Sequence, residues 1–311
     1  MKTAFVFPGQ GSQYVGMGAD LAAAYPAAQS VFDRASAAIG NAYVDVFLNG
    51  PEEKLRDTRY TQVALFIVSM AAHEVARGLG ARAEFTAGHS LGEYSALCAA
   101  GAFDFETGLR LVKARGEAIG AASARVPGTM AAIVGLDRSV VEGICQNASV
   151  HGVCQAVNYN CPGQIVIAGA VPAVQAAVQA AQAAGSPKSI VLNVSGPFHS
   201  SLMKPAADAM AGELAKAAIR APAVPVVMNV DATPTTDPAV IRTNLVRQID
   251  HPVLWEDSLR ALFAAGVERF IEVGPGRVLS GLLRRTDKAK KFSNIEDKKS
   301  AESLLAAPAA G

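Results

Sequence analysis

The sequence places one serine between two glycines in a pattern that suits nucleophilic chemistry. Residues Gly88–Gly92 read Gly-His-Ser-Leu-Gly, which fits the G-x-S-x-G nucleophile elbow between a strand predicted at 85–88 and a helix predicted at 91–100. Glycine is needed on both sides because the turn is too tight for side chains. The turn lifts the Ser90 hydroxyl into a cleft at a helix N-terminus, where the Leu91 amide and the helix dipole face a developing oxyanion. The pattern predicts a serine nucleophile for acyl chemistry.

A second glycine-rich segment, Phe7–Gln13, follows the strand predicted at residues 3–7. It does not match the common phosphate-binding loops. A dinucleotide fingerprint would need glycine where Tyr14 stands, and a Walker A loop needs a Gly-Lys pair, which the sequence does not contain. The segment can still provide backbone amides as hydrogen-bond donors. It is therefore either a tight turn or the source of the second donor of an oxyanion hole.

A serine nucleophile needs a general base, and the sequence has five histidines. His199 comes immediately before a predicted helix, in a loop that can face the elbow. His89 lies inside the elbow, too close in sequence to Ser90 to reach its hydroxyl well. His199 is therefore the predicted base, with an ordinary surface histidine as the alternative. The remaining histidines have other expected places: His73 on a helix, His151 in a turn and His251 beside Pro252.

Strands and helices must alternate to hold these loops together. Short apolar strands, each followed by a turn and a helix, predict an α/β fold with a mainly parallel sheet. Residues 127–196 differ, because their predicted order is β-α-β-β-α-β, the ferredoxin-like pattern. We predict a small domain at 127–196, inserted into a larger catalytic domain formed by 1–126 and 197–311. From about Thr286 the chain is rich in lysine and then in Ala, Pro and Gly, so a poorly ordered tail is expected.

Composition excludes several classes of protein. Of the 311 residues, 50% are hydrophobic and 18% are charged, which supports a folded core and excludes a disordered chain. The net charge of +1 and the aromatic content of 6% argue against a nucleic-acid-binding protein. The longest apolar run is too short to span a bilayer and the N-terminus does not resemble a signal peptide, so no membrane association is expected. The cysteines form no C-x-x-C pair and are too sparse for a disulfide scaffold, which predicts a cytoplasmic protein with free thiols: Cys98, Cys145, Cys154 and Cys161.

Longer motifs point to a family. In chain order they are FPGQGSQ at the start, GHSLGEYSAL at the elbow, LVKARG at 111–116, NYNCPGQIVIAG at 158–169, GPFHSSLMKPA at 196–206 and RQIDHPVLW at 247–255. Together they resemble the malonyl-CoA:acyl carrier protein transacylases, in particular the stand-alone bacterial enzymes of type II fatty acid synthesis. The resemblance covers roughly residues 3–283. It implies an α/β-hydrolase-like core with a ferredoxin-like insert.

The resemblance also implies catalytic roles. Ser90 would be the nucleophile and His199 the general base. Gln248 would orient the imidazole through its main-chain carbonyl, in place of the carboxylate of a usual triad, and Asp250 is an alternative orienting residue. The chemistry would be ping-pong: malonyl-CoA acylates the serine, CoA leaves as a thiol, and the phosphopantetheine thiol of acyl carrier protein takes the malonyl group. It requires no metal and no redox cofactor.

Substrate binding follows from the same resemblance. The backbone amides of Gln10 and Leu91 would form the oxyanion hole. Arg115 would bind the malonyl carboxylate, since a buried carboxylate needs a partner and a guanidinium donates two parallel hydrogen bonds to it. The alternative is a surface arginine in a salt bridge. The ring of Phe198 would disfavour a methylmalonyl group. The implied partners are malonyl-CoA and an acidic acyl carrier protein, the expected state is a monomer, and four basic residues are candidates for docking the carrier: Lys188, Arg277, Arg284 and Arg285.

Three other functions share parts of this pattern. A serine hydrolase would have the elbow and the histidine but not Arg115, and its usual chain order is Ser, acid, His. No carboxylate between Ser90 and His199 stands out for that order. A transacylase for another acyl group, or a subunit serving polyketide synthesis or malonate decarboxylation, would use the same chemistry. A non-enzymatic carrier-binding protein would have no use for an elbow. The sequence leaves open whether the carrier serves fatty acid or polyketide synthesis.

Overall fold

Strands and helices alternate through most of the chain, as the sequence predicts. The computed structural model describes residues 1–306. The strands are β1 Lys2–Phe7, β2 Phe85–Gly88, β3 Thr129–Val134, β4 Cys154–Cys161, β5 Gln164–Gly169, β6 Lys188–Val191, β7 Val226–Val227, β8 Pro234–Thr235, β9 Val267–Val273 and β10 Lys291–Ile295. The helices are α1 Ala19–Ala24, α2 Pro26–Ile39, α3 Asn41–Asn49, α4 Glu52–Arg56, α5 Thr58–Gly78, α6 Gly92–Ala99, α7 Phe105–Arg125, α8 Arg138–Ala148, α9 Val171–Ala183, α10 Lys204–Lys216, α11 Pro238–Arg247, α12 Trp255–Ala264, α13 Val278–Thr286 and α14 Lys298–Ala306.

The larger sheet is the frame that carries the site. Its six strands run in the order β10-β9-β1-β2-β7-β8, and the neighbours are parallel except for β7 and β8. Strand β1 lies in the interior of the sheet, with Phe5 and Phe7 in one hydrophobic core and Ala4 and Val6 in a second. Burial on both faces explains why its sequence is a continuous apolar run. The predicted α/β class with a mainly parallel sheet is confirmed.

The smaller sheet has four strands in the order β4-β5-β3-β6, all paired antiparallel. Helices α8 and α9 supply apolar residues to the core on one face of it. The observed order along the chain, β3-α8-β4-β5-α9-β6, is the β-α-β-β-α-β order expected of a ferredoxin-like unit. The division of the chain at residues 127 and 196 stays a prediction.

Two long helices bring polar side chains into the core. Asp57 caps α5 by accepting from the Arg59 amide at 2.9 Å, and Asp104 caps α7 by accepting from the Thr107 amide at 2.8 Å. Each cap satisfies an amide that has no partner inside its helix. The two helices pack against each other. No helix in the described part of the chain has the length and apolar character needed to cross a membrane.

The expectation of a poorly ordered tail from about Thr286 is wrong for the residues that the structure describes. Strand β10 pairs in parallel with β9 at the edge of the larger sheet, and α14 follows it. Ile295 is fully buried, and the Ser300 amide donates to Asp297 Oδ1 at 2.7 Å in the first turn of α14. The lysine-rich composition misled the prediction because edge strands commonly carry exposed charges. The final residues, 307–311, lie outside the described range.

Candidate active site

The candidate site lies at the carboxyl edge of the larger sheet. There β1 leads to the loop that carries Gln10, β2 leads to the turn that carries Ser90, and β7 is followed by Asn229. Parallel strands bring their carboxyl ends to one edge, where open α/β sheets bind their ligands. A cavity of about 370 Å³ opens at this edge, and its lining includes Asn160 and Val166 of the smaller sheet. The cavity therefore lies between the two sheets.

The turn at Ser90 has the geometry of a nucleophile elbow. Ser90 has a φ of 52°, a left-handed conformation that is costly for a residue other than glycine. A Cβ on Gly88 would lie 1.9 Å from the carbonyl oxygen of Gly92, and one on Gly92 would lie 2.1 Å from that of Phe7. Both positions therefore require glycine. Asn229 braces the turn, since its Oδ1 accepts from the Ser90 amide at 2.8 Å and its Nδ2 donates to the Gly88 carbonyl at 2.7 Å.

His199 lies beside the serine and is oriented by a main-chain carbonyl. Its Nε2 is 2.7 Å from Ser90 Oγ, and its Nδ1 is 2.7 Å from the carbonyl oxygen of Gln248. Because a carbonyl only accepts, the proton belongs on Nδ1, and Nε2 is free to accept from the serine. The Asp250 carboxylate pairs elsewhere, with its Oδ1 2.7 Å from Nδ1 of His251. His199 is buried, so the alternative of a surface histidine is wrong.

Burial and a neighbouring positive charge keep the imidazole of His199 neutral. Removal from water lowers the pKa of His199 to about 3, and the Arg115 guanidinium acts in the same direction. The backbone of His199, like that of Ser90, is left-handed, with a φ of 61°. Such strain is typical of functional sites. A neutral imidazole whose Nε2 accepts from a hydroxyl is the form that a general base requires.

Arg115 is buried in α7, so the alternative of a surface arginine is wrong. Only 1% of its surface is exposed. Its Nη1 donates to Gln62 Oε1 at 2.7 Å, and its Nη2 donates to Gln248 Oε1 at 2.9 Å and to Ser90 Oγ at 3.2 Å. The ring of Tyr94 lies under the guanidinium, 5.7 Å from Cζ. All three hydrogen-bond acceptors are neutral, so the guanidinium is a buried charge that an incoming anion would compensate.

Two backbone amides near the serine are available to an oxyanion. Gln10 lines the same cavity as Ser90, and Leu91 follows the serine directly at the start of α6. Within residues 1–306, neither amide donates a hydrogen bond to a protein acceptor. The side chain of Gln10 is engaged elsewhere, with Nε2 3.4 Å from Thr58 Oγ1. Free amides at a helix N-terminus are suitable donors for an oxyanion.

Sequence reasoning missed three buried polar residues of the site: Glu93, Asn229 and Gln62. Glu93 Oε1 accepts from the Asn229 amide, and its Oε2 accepts from Gln248 Nε2, each at 2.6 Å. Burial raises the pKa of the Glu93 carboxyl, while the two amide donors and the Arg115 charge act in the opposite direction and favour the ionised form. Two of the three carried a signal in the sequence, because Glu93 stands inside the elbow motif and Asn229 comes directly after a strand. Gln62 stands in an apolar helix and carried no signal beyond its polarity.

The remaining lining of the cavity is largely apolar. Phe198 and Met203 line it near His199, and α13 contributes Val278 and Leu282. Of the candidate docking residues, Lys188 lies on β6 of the smaller sheet. The others lie in α13 or directly before it: Arg277, Arg284 and Arg285.

The family comparisons agree with this fold and site. A family model described as an acyl transferase domain matches residues 4–305, and the chain belongs to that acyltransferase family. Within it, the chain is a member of the malonyl CoA-acyl carrier protein transacylases. The protein of that name from Escherichia coli (strain K12) is 49% identical over 283 residues, which cover 91% of this chain and 92% of the relative. The one from Bacillus subtilis (strain 168) is 42% identical over 302 residues, 97% of this chain and 95% of the relative.

Solved structures give the same result. The acyl-carrier-protein-S-malonyltransferase from Bartonella henselae superposes with a TM-score of 0.94 at 42% identity, covering 98% of this chain and 99% of that one. A malonyl-transacylase in complex with its type II PKS acyl-carrier protein superposes with a TM-score of 0.95 at 41% identity, with 98% and 99% covered. The resemblance drawn from the motifs is confirmed. The enzyme class is acyltransferase rather than hydrolase or non-enzymatic binding protein.

Proposed function

We propose that this chain transfers the malonyl group of malonyl-CoA to the phosphopantetheine thiol of an acyl carrier protein, through a malonyl ester of Ser90. One observation carries the proposal. A buried guanidinium, that of Arg115, lies 3.2 Å from the oxygen of a serine whose other neighbour is a histidine nitrogen at 2.7 Å. A nucleophile beside a buried cation suits an acyl group that itself carries a carboxylate.

Acylation begins with attack of Ser90 Oγ on the thioester carbonyl, while the hydroxyl proton passes to His199 Nε2. The Gln248 carbonyl accepts from Nδ1 throughout and stabilises the imidazolium that forms. The amides of Gln10 and Leu91 donate to the oxyanion, and loss of one such donor typically raises the barrier by about 3–4 kcal/mol. The C–S bond then breaks, and His199 returns the proton to the CoA sulfur. The product is a malonyl ester of the serine.

The malonyl carboxylate binds the guanidinium of Arg115. In the absence of substrate, the guanidinium donates to neutral oxygens, and a malonyl carboxylate would add a stronger charge-assisted bond. An acetyl group would leave the cation uncompensated inside the cavity. Phe198 lines the cavity and limits the room beside the acyl chain. This arrangement favours malonyl over acetyl or methylmalonyl groups.

The second half-reaction reverses the first, with the carrier thiol as the nucleophile. His199 takes the thiol proton, the sulfur attacks the ester carbonyl, and Ser90 leaves with the proton restored. The carrier would dock beside α13, which lines the cavity and bears Arg284 and Arg285. The protein would act as a cytoplasmic monomer in fatty acid or polyketide elongation. Its four cysteines are all free, in keeping with a reducing compartment.

Intact mass after brief incubation with malonyl-CoA tests the proposal. Wild type should gain one malonyl group and lose it to holo carrier protein, and Ser90→Ala should gain none. Arg115→Ala should lose malonyl labelling but not acetyl labelling. Arg110 is a matched control on the same helix, since it is exposed and pairs with Glu213 at 3.4 Å, away from the cavity, so Arg110→Ala should behave as wild type.

Release of CoA without a persistent acyl-enzyme, and without malonyl transfer to the carrier, would make water the acceptor. A hydrolase would then replace the transferase proposed here. Equal loss of malonyl and acetyl labelling in Arg115→Ala would remove the assignment of the carboxylate to that residue.

A further inference from the structure

The side chain of Gln248 bridges two buried ionisable groups. Its Oε1 accepts from Arg115 Nη2 at 2.9 Å, and its Nε2 donates to Glu93 Oε2 at 2.6 Å and to the Ser90 carbonyl at 2.8 Å. Gln248 is fully buried, and so is Glu93. Both hydrogens and the oxygen of the amide are therefore used. The amide links a carboxyl group on one side to the guanidinium on the other.

The chemistry of its two neighbours fixes which way this amide points. A guanidinium has only donors, so the amide oxygen must face Arg115. The Glu93 carboxyl accepts through both oxygens, one from Gln248 and one from the Asn229 amide at 2.6 Å. If the amide were reversed, its nitrogen would face the guanidinium, donor against donor. Glu93, together with the Ser90 carbonyl, therefore supports the orientation in which Gln248 holds Arg115.

Glu93 does not compete with a substrate carboxylate for Arg115, because it contacts Gln248 and not the guanidinium. A carboxylate bonded directly to Arg115 would occupy the donors that a substrate carboxylate needs. Glu93 stands one amide away, so it holds Gln248 by a hydrogen bond and leaves the guanidinium able to take a new partner. The elbow does not depend on Glu93 in the same way, because Asn229 keeps two bonds of its own to the turn.

We propose that Glu93 is a positioning residue that acts through the Gln248 side chain on Arg115 and so determines the preference for an acyl group bearing a carboxylate. The inference rests on the proposed function, in which Arg115 binds the malonyl carboxylate. In this proposal Glu93 of α6 contributes to substrate specificity as well as to packing.

Glu93→Gln is the direct test. Glutamine keeps the size of the side chain, but one of its ends is a donor and must face either Gln248 Nε2 or the Asn229 amide. In either case Gln248 loses the carboxylate acceptor that, with the Ser90 carbonyl, holds it in this orientation. We expect the ratio of malonyl-CoA to acetyl-CoA acylation of Ser90, each as kcat/KM in single turnover, to fall by about tenfold or more, the typical effect of a hydrogen bond to a charged group. The acetyl-CoA rate should fall by less than the malonyl-CoA rate, because an acetyl group does not use Arg115.

Glu272 offers a matched control, since it is the equally buried carboxyl that accepts from the Leu279 and Ser280 amides at the start of α13. Glu272→Gln should lower the midpoint of thermal unfolding without changing the ratio of the two thioesters. Gln248→Met breaks the same bridge from its centre and keeps the main-chain carbonyl for His199. It should reproduce the loss of malonyl preference. If Glu93→Gln does not fold, this variant tests whether the bridge to Arg115 determines that preference.

A double variant separates this pathway from general damage. In an Arg115→Ala background, Glu93→Gln should cause no further change in the ratio, because the group through which it acts is gone. Equal losses for malonyl-CoA and acetyl-CoA in Glu93→Gln and Gln248→Met, or no loss in either, would overturn the proposal. The proposed function is judged separately, by whether the wild type takes malonate at Ser90 and passes it to the carrier.

Discussion

Acidification tests the environment of His199. A histidine with the ordinary pKa of about 6.5 is only about 3% neutral at pH 5, so a base of that kind would lose about thirtyfold in rate between pH 8 and pH 5. Burial and the Arg115 guanidinium lower the pKa of His199 to about 3. At that value the imidazole is about 99% neutral at pH 5. We expect the rate of acylation by malonyl-CoA to stay within about twofold over this range.

Single-turnover acylation, stopped by rapid quenching and followed by intact mass, isolates the step. Wild type and Ser90→Ala are compared at each pH, so that only mass gained at the serine is counted. A fall in rate with a midpoint near pH 6.5 would refute the reasoning, because it would mean that the imidazole titrates as it does in water.

Arg115→Ala changes the same profile in a known direction. It removes a positive charge next to His199 and opens space for water, and both changes raise the pKa of the imidazole towards its ordinary value. The acid limb should therefore move to higher pH. Acetyl-CoA is the substrate for this comparison, because it does not need the guanidinium as a partner. An acid limb that does not move would show that the charge of Arg115 has no influence on the base.

Three further results are expected. Gly92→Ala should lower the free energy of unfolding by about 3 kcal/mol or more in chemical denaturation, since its Cβ would lie 2.1 Å from a main-chain oxygen, whereas Gly143→Ala, with open space around it, should be neutral or stabilising. Equal effects of Gly92→Ala and Gly143→Ala would contradict the close approach of the Phe7 carbonyl to position 92. Asp250→Asn should keep the acylation rate within about twofold, because its carboxylate pairs with His251 and not with His199; a loss above tenfold would support Asp250 as the orienting residue. Because the pKa of His199 is lowered, the unfolded state takes up a proton below pH 6.5 that the folded state does not. The free energy of unfolding should therefore fall, as pH decreases from 6.5, by up to about 1.4 kcal/mol per pH unit from this group. His199→Gln should remove that part of the slope in denaturation curves recorded from pH 7 to pH 5, and an unchanged slope would oppose the assignment.

Local sequence was enough to predict the parts of the site that sit on single turns. The glycines at 88 and 92 mark a tight turn, and in the structure a Cβ added at either position would lie 1.9 or 2.1 Å from a main-chain oxygen. The β-α-β-β-α-β order and the parallel sheet were also predictable, because most of their strands are short apolar runs bounded by turn residues. These features depend mainly on residues that are close together in the sequence.

The polar network behind the serine was not predictable in this way. Glu93 and Asn229 are 136 positions apart, and Glu93 and Gln248 are 155 apart, so their bonds exist only once the larger sheet has formed. A buried carboxyl on a helix has the same sequence appearance as an exposed one. The strand β10 was missed for a related reason: its pairing with β9 makes it a strand, while Lys291 and the lysines just before it suggest exposure to solvent.

The same network explains why a main-chain carbonyl takes the place of a triad carboxylate. Arg115 Nη2 and His199 Nε2 both contact Ser90 Oγ, at 3.2 and 2.7 Å. A carboxylate on the imidazole would place a negative charge beside a pocket that has to admit a second one, and it would attract the guanidinium away from the substrate. The neutral carbonyl of Gln248 fixes the tautomer without that charge. It stabilises an imidazolium less than a carboxylate would, but a thiol is a good leaving group, with a pKa of about 8.5, so little proton donation is required of the imidazolium when CoA departs. In the proposed reaction the buried guanidinium of Arg115 is thereby kept for the malonyl carboxylate, and Glu93 is linked to it only through the Gln248 amide.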